Sequence, residues 1–272
     1  MAVTVDIKGG LGNQLFQLFT LLAYSYKHDT DFYIPDYKGM LGIDKKSTRP
    51  PYFETFLIKL KPYIKRNRTD ITYRDKQIFF YNELPSPKEN KNIMLSGYFQ
   101  NSKYFNEFSE KIINFIEIRE FQNKIKEKYV IENSISLHFR LGDYKSNNYH
   151  CIQDINYYIN SLKTIIENTN KQDWTIRFCC EEEDVLEVTK NINELKDTFT
   201  HLAFERIDNN LLDWEQMIYM SLCTHNVIAN STFSWWSAYF NENKHKIICM
   251  PKKWINTSFE PIKIPLGTSI IL

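Results

Sequence analysis

Apolar residues fall along this chain in two alternating rhythms. Short apolar runs at Val3–Ile7, Phe32–Ile34, Met94–Phe99, Ser134–Phe139, Thr175–Cys180, Thr198–Ala203, Asn226–Ala229 and Lys246–Met250 read as strands. Between them, apolar positions recur three and four residues apart, the spacing of one helix face. Leu15, Leu18, Phe19 and Leu22 mark a helix over Leu11–Tyr26. Phe105, Phe108, Ile112, Phe115 and Ile116 mark one over Ser102–Phe121, with Ser102 as its N-cap. Tyr158, Leu162, Ile165 and Ile166 mark Ile155–Thr169, and Trp214, Met217 and Ile218 mark Leu211–Cys223. Ser234–Phe240 opens a further helix, and Phe53–Ile64 holds a short one ending near Pro62. Gly39–Pro51 is polar and broken by glycine and proline, so it reads as a loop, and Asp70–Tyr81 as a short strand or irregular segment.

Strands alternating with helices predict an α/β fold with parallel sheets. The pattern divides into two Rossmann-like domains facing across a cleft, residues 1–130 and 131–272, with the polar stretch 122–133 as the crossing.

Composition narrows the class. At 43% apolar and 15% aromatic residues, 272 residues can bury a substantial core. A net charge of +1 gives no support to a nucleic-acid protein. The five cysteines, at 151, 179, 180, 223 and 249, follow neither a metal-ligand spacing nor a disulfide framework. No metal site is expected. Asp6 and Lys8 interrupt the opening residues, which argues against a signal peptide. No apolar stretch approaches the ~18 residues of a transmembrane helix. The expected location is the cytoplasm, with contact to the inner membrane face as one option.

Three segments carry candidate chemistry. Gly9-Gly10-Leu11-Gly12-Asn13-Gln14 follows a strand and opens a helix. Such a turn can simply be tight, or its glycines and helix N-terminus can seat a phosphate, with Asn13 and Gln14 donating to phosphate or sugar oxygens. Leu15 occupies the last glycine position of GxGxxG, which counts against a nicotinamide-type oxidoreductase. The second segment is His138-Phe139-Arg140-Leu141-Gly142-Asp143-Tyr144. Arg140 presents a planar fork suited to phosphate. His138, two residues earlier, faces the same side of a strand. Asp143 either takes a proton from a hydroxyl or orients Arg140 in an ion pair. The third, Asn230-Ser231-Thr232-Phe233-Ser234-Trp235-Trp236, puts hydroxyls at a helix start, where Ser231, Thr232 and Ser234 either cap the helix or donate to phosphate. The run Glu181-Glu182-Glu183-Asp184 reads as a solvated helix start, and Asp213 and Glu215 as acids at another.

Together, Gly9–Gln17, His138-x-Arg140-x-Gly142-Asp143-Tyr144 and Ser231–Trp236 resemble the motifs of the α-1,2-fucosyltransferase family, glycosyltransferase family 11. Pro251–Trp254 resembles its closing segment. The resemblance implies a GT-B-like, inverting enzyme that needs no metal or other cofactor. Its donor would be GDP-β-L-fucose, bound mainly by residues 134–256. Arg140 would grip the β-phosphate, supported by His138. Asp213 would read the guanine edge, and Ser231, Thr232 and Ser234 would meet phosphate oxygens. Gly10, Gly12, Asn13 and Gln14 would close the donor site. The acceptor would be a galactose-terminated oligosaccharide or lipid-linked glycan, lying over the first domain. The family carries a second arginine directly after the first, and this chain has Leu141. Another nucleotide-sugar donor or linkage, or a non-catalytic glycan- or nucleotide-binding protein, are the alternatives.

Overall fold

The structure, a computed structural model, describes residues 1–36, 40–41, 48–49, 52–256 and 269–272. It divides into two units, Met1–Arg119 and Glu120–Leu272. The division lies inside a helix, a little before the 130/131 boundary expected from the polar stretch.

The first unit opens with β1 (Ala2–Val5) and α1 (Leu11–His28). α1 is buried on nearly every side, and Leu15, Leu18, Phe19 and Leu22 are fully covered. Lys27 complements its dipole in the last turn, and Asp29 closes it in the left-handed region (φ 45°). β2 (Asp31–Phe32), β3 (Met40–Leu41) and β4 (Thr48–Arg49) follow, then β5 (Ile71–Arg74) and β6 (Ile93–Ser96). The sheet order is β2-β1-β6-β5, all parallel, while β3 and β4 form an antiparallel pair of their own. That pair falls within the expected Gly39–Pro51 loop, the rest of which lies outside the described residues. Ile58–Tyr63 is a 3₁₀ helix that carries Pro62 inside it.

The expected helix over Ser102–Phe121 is broken. Two 3₁₀ turns, Ser102–Tyr104 and Asn106–Phe108, precede α2 (Ser109–Ile116), and Glu117 takes a left-handed conformation (φ 65°) before α3 (Ile118–Lys126). Phe105 leaves helical geometry (φ −139°, ψ −6°) and buries its ring 5.4 Å from that of Phe19. The cap is Asn101, whose side chain accepts the Lys103 N–H at 3.1 Å, in place of Ser102.

The second unit runs β7 (Ser134–His138), α4 (Ile155–Thr169), β8 (Thr175–Cys179), α5 (Val185–Thr198), β9 (Ala203–Arg206), α6 (Asp213–Leu222), β10 (His225–Val227), α7 (Thr232–Tyr239), β11 (Ile248–Met250) and β12 (Ser269–Ile271). α5 continues through Thr198, so the strand expected at Thr198–Ala203 begins only at Ala203, once Phe199 and Leu202 have turned into the core. The sheet order is β12-β11-β10-β7-β8-β9, all parallel. The α/β class with two Rossmann-like parallel-sheet units is therefore as the sequence predicts. No helix among the described residues is long and apolar enough to cross a membrane.

The strand order creates one point of special geometry. From β7 the chain moves outward through β8 to β9, then returns to lay β10 on the other side of β7. The helices after β7 and β10 depart in opposite senses, which opens a crevice at the carboxyl ends of these two strands. Open parallel sheets bind ligands at such a switch point.

Candidate active site

The segment leaving β7 alternates. Phe139 and Leu141 are 1% and 3% exposed and join the core with Tyr158 and Leu162. Arg140 stands between them and stays out of that core. Leu141 thus fills an apolar position, and an arginine there would have to bury its charge.

The Arg140 guanidinium is held from three directions. Nη1 donates to Glu181, Nη2 donates to Asp143, and the carbon of the fork lies 5.1 Å from the centre of the Tyr144 ring. Burial works against its charge, but the Glu181 and Asp143 carboxylates more than offset this and raise its pKa further. Tyr144 is itself fixed. Its hydroxyl donates to the Asn230 carbonyl at 3.0 Å, and its ring stacks on His150 at 4.2 Å. That hydroxyl ties the loop after β7 to the loop after β10. Burial holds the Tyr144 hydroxyl protonated, with its pKa pushed up to about 12.

His138 is buried and 5.5 Å from the Phe233 ring, and its Nδ1 finds no hydrogen-bond partner. Burial, with the Arg140 charge nearby, pushes its pKa down to about 3. The imidazole is neutral at physiological pH, so it offers no positive charge to a phosphate.

The turn Gly142–Ser146 is a 3₁₀ helix pinned from α5's side of the sheet. Gly142 has a φ of 31°, and its N–H donates to Asp184 at 2.7 Å. The other Asp184 oxygen accepts from Lys145 at 2.7 Å, and Lys145 also meets Glu187 at 2.6 Å. Hydrogen bonds to these two carboxylates raise the Lys145 pKa. The acidic run 181–184 is therefore no simple solvated helix start. Asp184 is 2% exposed, and Glu181 and Asp184 both reach back to the turn after β7. Sequence reasoning missed these two. The available signal was their i, i+3 spacing immediately beyond a strand.

On the other side of the crevice, Ser231 caps α7 by accepting the Phe233 N–H at 3.3 Å. Thr232 is the first helical residue. Ser234 is 1% exposed, and its hydroxyl is engaged with the carbonyls of Ala229 and Ser231. Asn230 braces the loop by donating to the carbonyls of Cys151 and Trp254, each at 2.8 Å. His138, Arg140, Asp143, Ser231, Thr232 and Ser234 are thus gathered around one switch point. Asp213 is not among them. It is exposed at the start of α6, which follows the edge strand β9, and its carboxylate accepts the Trp214 N–H at 2.7 Å.

The glycine turn sits at the carboxyl end of β1 in the first unit. Gly9 has a φ of 81°, and a Cβ there would lie 2.6 Å from Asn13 Nδ2. Gly10 is the N-cap of α1, and Gly12 is buried in its first turn. Asn13 accepts from Gln100 at 2.8 Å. Gln14 is fully buried and donates to the Gly9 carbonyl at 3.1 Å, so it braces the turn. Gln17, which the motif reading gave no role, accepts the Lys8 N–H at 2.9 Å and donates to the Gly97 carbonyl at 3.3 Å. It links the turn after β1 to the one after β6. Asp29 and Asp31 lie at the opposite end of the strands from the glycine turn, since Asp31 pairs with Ala2 at the start of β1. Among the described residues, no three His, Cys, Asp or Glu side chains gather as metal ligands.

Fold and site define a parallel α/β protein with a half-buried guanidinium and a hydroxyl-capped helix at the switch point of its larger sheet. The chain matches the model of glycosyl transferase family 11 over residues 1–264 and belongs to that family. It is 26% identical over 287 residues to an alpha-1,2-colitosyltransferase of Escherichia coli, covering 95% of this chain and 96% of that protein. It is 28% identical over 175 residues to the Escherichia coli O-antigen biosynthesis glycosyltransferase WbnK, covering 59% of this chain and 54% of that one. Among solved structures it is similar to an Arabidopsis thaliana FUT1 mutant in complex with GDP (TM-score 0.49, 10% identity, 92% of this chain and 70% of that). It is also similar to the NodZ alpha-1,6-fucosyltransferase soaked with GDP-fucose (TM-score 0.46, 13% identity, 87% and 91%).

Proposed function

We propose that this glycosyltransferase moves L-fucose from GDP-β-L-fucose to the 2-hydroxyl of a terminal β-galactose, with inversion to an α-1,2 linkage. The observation that carries the reading is Arg140, a largely buried guanidinium at the switch point between β7 and β10. The acceptor hydroxyl attacks the anomeric carbon opposite the nucleotide, and the bond to the β-phosphate oxygen breaks. Negative charge then grows on that phosphate, where a preorganised cation lowers the barrier most. Arg140 supplies the charge, and Tyr144 fixes its plane. The Thr232 end of α7 offers backbone N–H groups to the same anion. His138, being neutral, packs behind the site. Asp143 engages Arg140, which favours the orienting role over that of base. Asp213 would meet the guanine at the edge of the site. The chemistry asks for no metal and no cofactor. The expected acceptor is a galactose-terminated oligosaccharide or lipid-linked glycan, reached from the cytoplasmic side of the membrane.

A second reading keeps the linkage and changes the donor. Colitose is fucose without its 3-hydroxyl, and the relative that matches nearly the whole chain is named for colitosyl transfer. A donor panel separates the two. GDP-fucose, GDP-colitose, GDP-mannose and UDP-galactose are each offered with lactose in EDTA, and products are read by mass spectrometry and NMR. Fucose on galactose O2 is the expected product. Transfer from GDP-colitose alone selects the second reading. GDP binding without GDP release on adding any acceptor points to a non-catalytic protein.

A further inference from the structure

Glu181 belongs to none of the sequence motifs, and the transfer reaction above assigns it no part. It lies two residues past β8, and its carboxylate grips Nη1 of Arg140 from the segment after the strand that pairs with β7. We propose that Glu181 is a positioning residue that holds Arg140 while the nucleotide site is empty and competes with the β-phosphate for it, thereby setting how fast GDP leaves. The inference rests on the donor reading above.

Three observations converge on it. First, one guanidinium between two carboxylates leaves the cluster with a net charge of one negative unit, and that charge repels an arriving diphosphate. One carboxylate must yield before Arg140 can turn its full charge on phosphate. Second, the two carboxylates are not equivalent. Asp143 lies three residues along the same turn and travels with Arg140, whereas Glu181 enters from the segment after β8. Its side chain makes no capping bond to the 3₁₀ turn that it precedes, and it is 38% exposed, so it can swing away cheaply. Third, it has somewhere to rest. It lies over Gly142, where a Cβ would collide with its Oε2, so the absence of a side chain at Gly142 makes the parked position possible. Tyr144, meanwhile, keeps the guanidinium plane in place whichever anion occupies it. When GDP departs, Glu181 recaptures Nη1 and shields the cation from rebinding.

The test compares wild type with Glu181→Gln at low salt, titrating GDP by calorimetry and following displacement of a fluorescent GDP by stopped flow. Removing a half-exposed like charge is expected to tighten GDP binding roughly fivefold. Most of that gain appears as slower dissociation, and it shrinks as salt is added. A residue that served only the fold would give weaker or unchanged binding, and either result in a folded variant overturns the proposal. Glu181→Ala provides the same comparison should Glu181→Gln not fold. Failure of the wild type to bind GDP would remove the donor reading and this inference together. GDP binding by the wild type without tightening in the variant removes this inference alone.

Discussion

Arg140 owes its character to its neighbours. Phe139 and Leu141 pull the strand into the core on both sides, and the guanidinium is left facing two carboxylates and a tyrosine ring. His138, Arg140 and Asp143 were visible in the sequence because three polar groups beside an apolar strand need partners or a use. Glu181 was hidden because an acidic run ordinarily faces water, and its pairing spans 41 residues of chain. Burial of neutral His138 has a testable sign. Its folded pKa is near 3 against 6.5 for the free group, so below 6.5 the unfolded chain binds the extra proton. Stability should therefore be complete above pH 6.5 and fall as the pH drops toward 3. His225, pushed down to about 4 by burial and accepting the Ile247 N–H through Nδ1, adds to the same slope. Thermal melts across this range check it, and His138→Asn should flatten the curve. The kcat profile should show no step from His138 between pH 5 and 8. Asp143→Asn should bind GDP no more weakly than wild type, since it too removes a negative charge beside Arg140. Loss of transfer with that affinity intact would assign Asp143 the proton, and mostly retained transfer would leave it the orienting role.

Helix and strand boundaries were legible where period and punctuation agreed. α4 was expected at Ile155–Thr169 and is found there, with Asp154 as its cap. The helix expected over Ser102–Phe121 failed because Phe105 gains more from core contact than from helical geometry, a tertiary preference that periodicity does not encode. Two side chains hold the elements that form the site. Asp184 accepts the Gly142 N–H and so ties the turn after β7 to the start of α5. Asp184→Ala leaves that N–H unsatisfied and should destabilise the protein by about 1–3 kcal/mol. Asp184→Asn, which keeps an acceptor, should recover part of this, as denaturant titrations would show. Ser231→Ala removes the α7 cap and should cost about 1 kcal/mol, read from the same titrations.

At the scale of the molecule, two parallel sheets each place a motif at the carboxyl ends of their strands, and in the larger sheet this is the switch point. The glycine turn follows β1, and the arginine turn lies beside α7 between β7 and β10. The alternation of strands and helices announced this class of fold, but strand order is set by which helix packs on which sheet face. The crevice could not be located without it. β12 was missed because Ser269–Ile271 is too short a run to stand out, and only pairing with β11 makes it a strand. Family membership over residues 1–264 agrees with the spread of the motifs along the chain. The central claim, that Arg140 meets the charge that develops on the departing nucleotide, is tested most directly by measuring kcat and the GDP Kd together for wild type and Arg140→Ala. The expected result is a fall in kcat of the order of 10²- to 10³-fold, with the GDP Kd rising less than about tenfold. An unchanged kcat in the folded variant would contradict it.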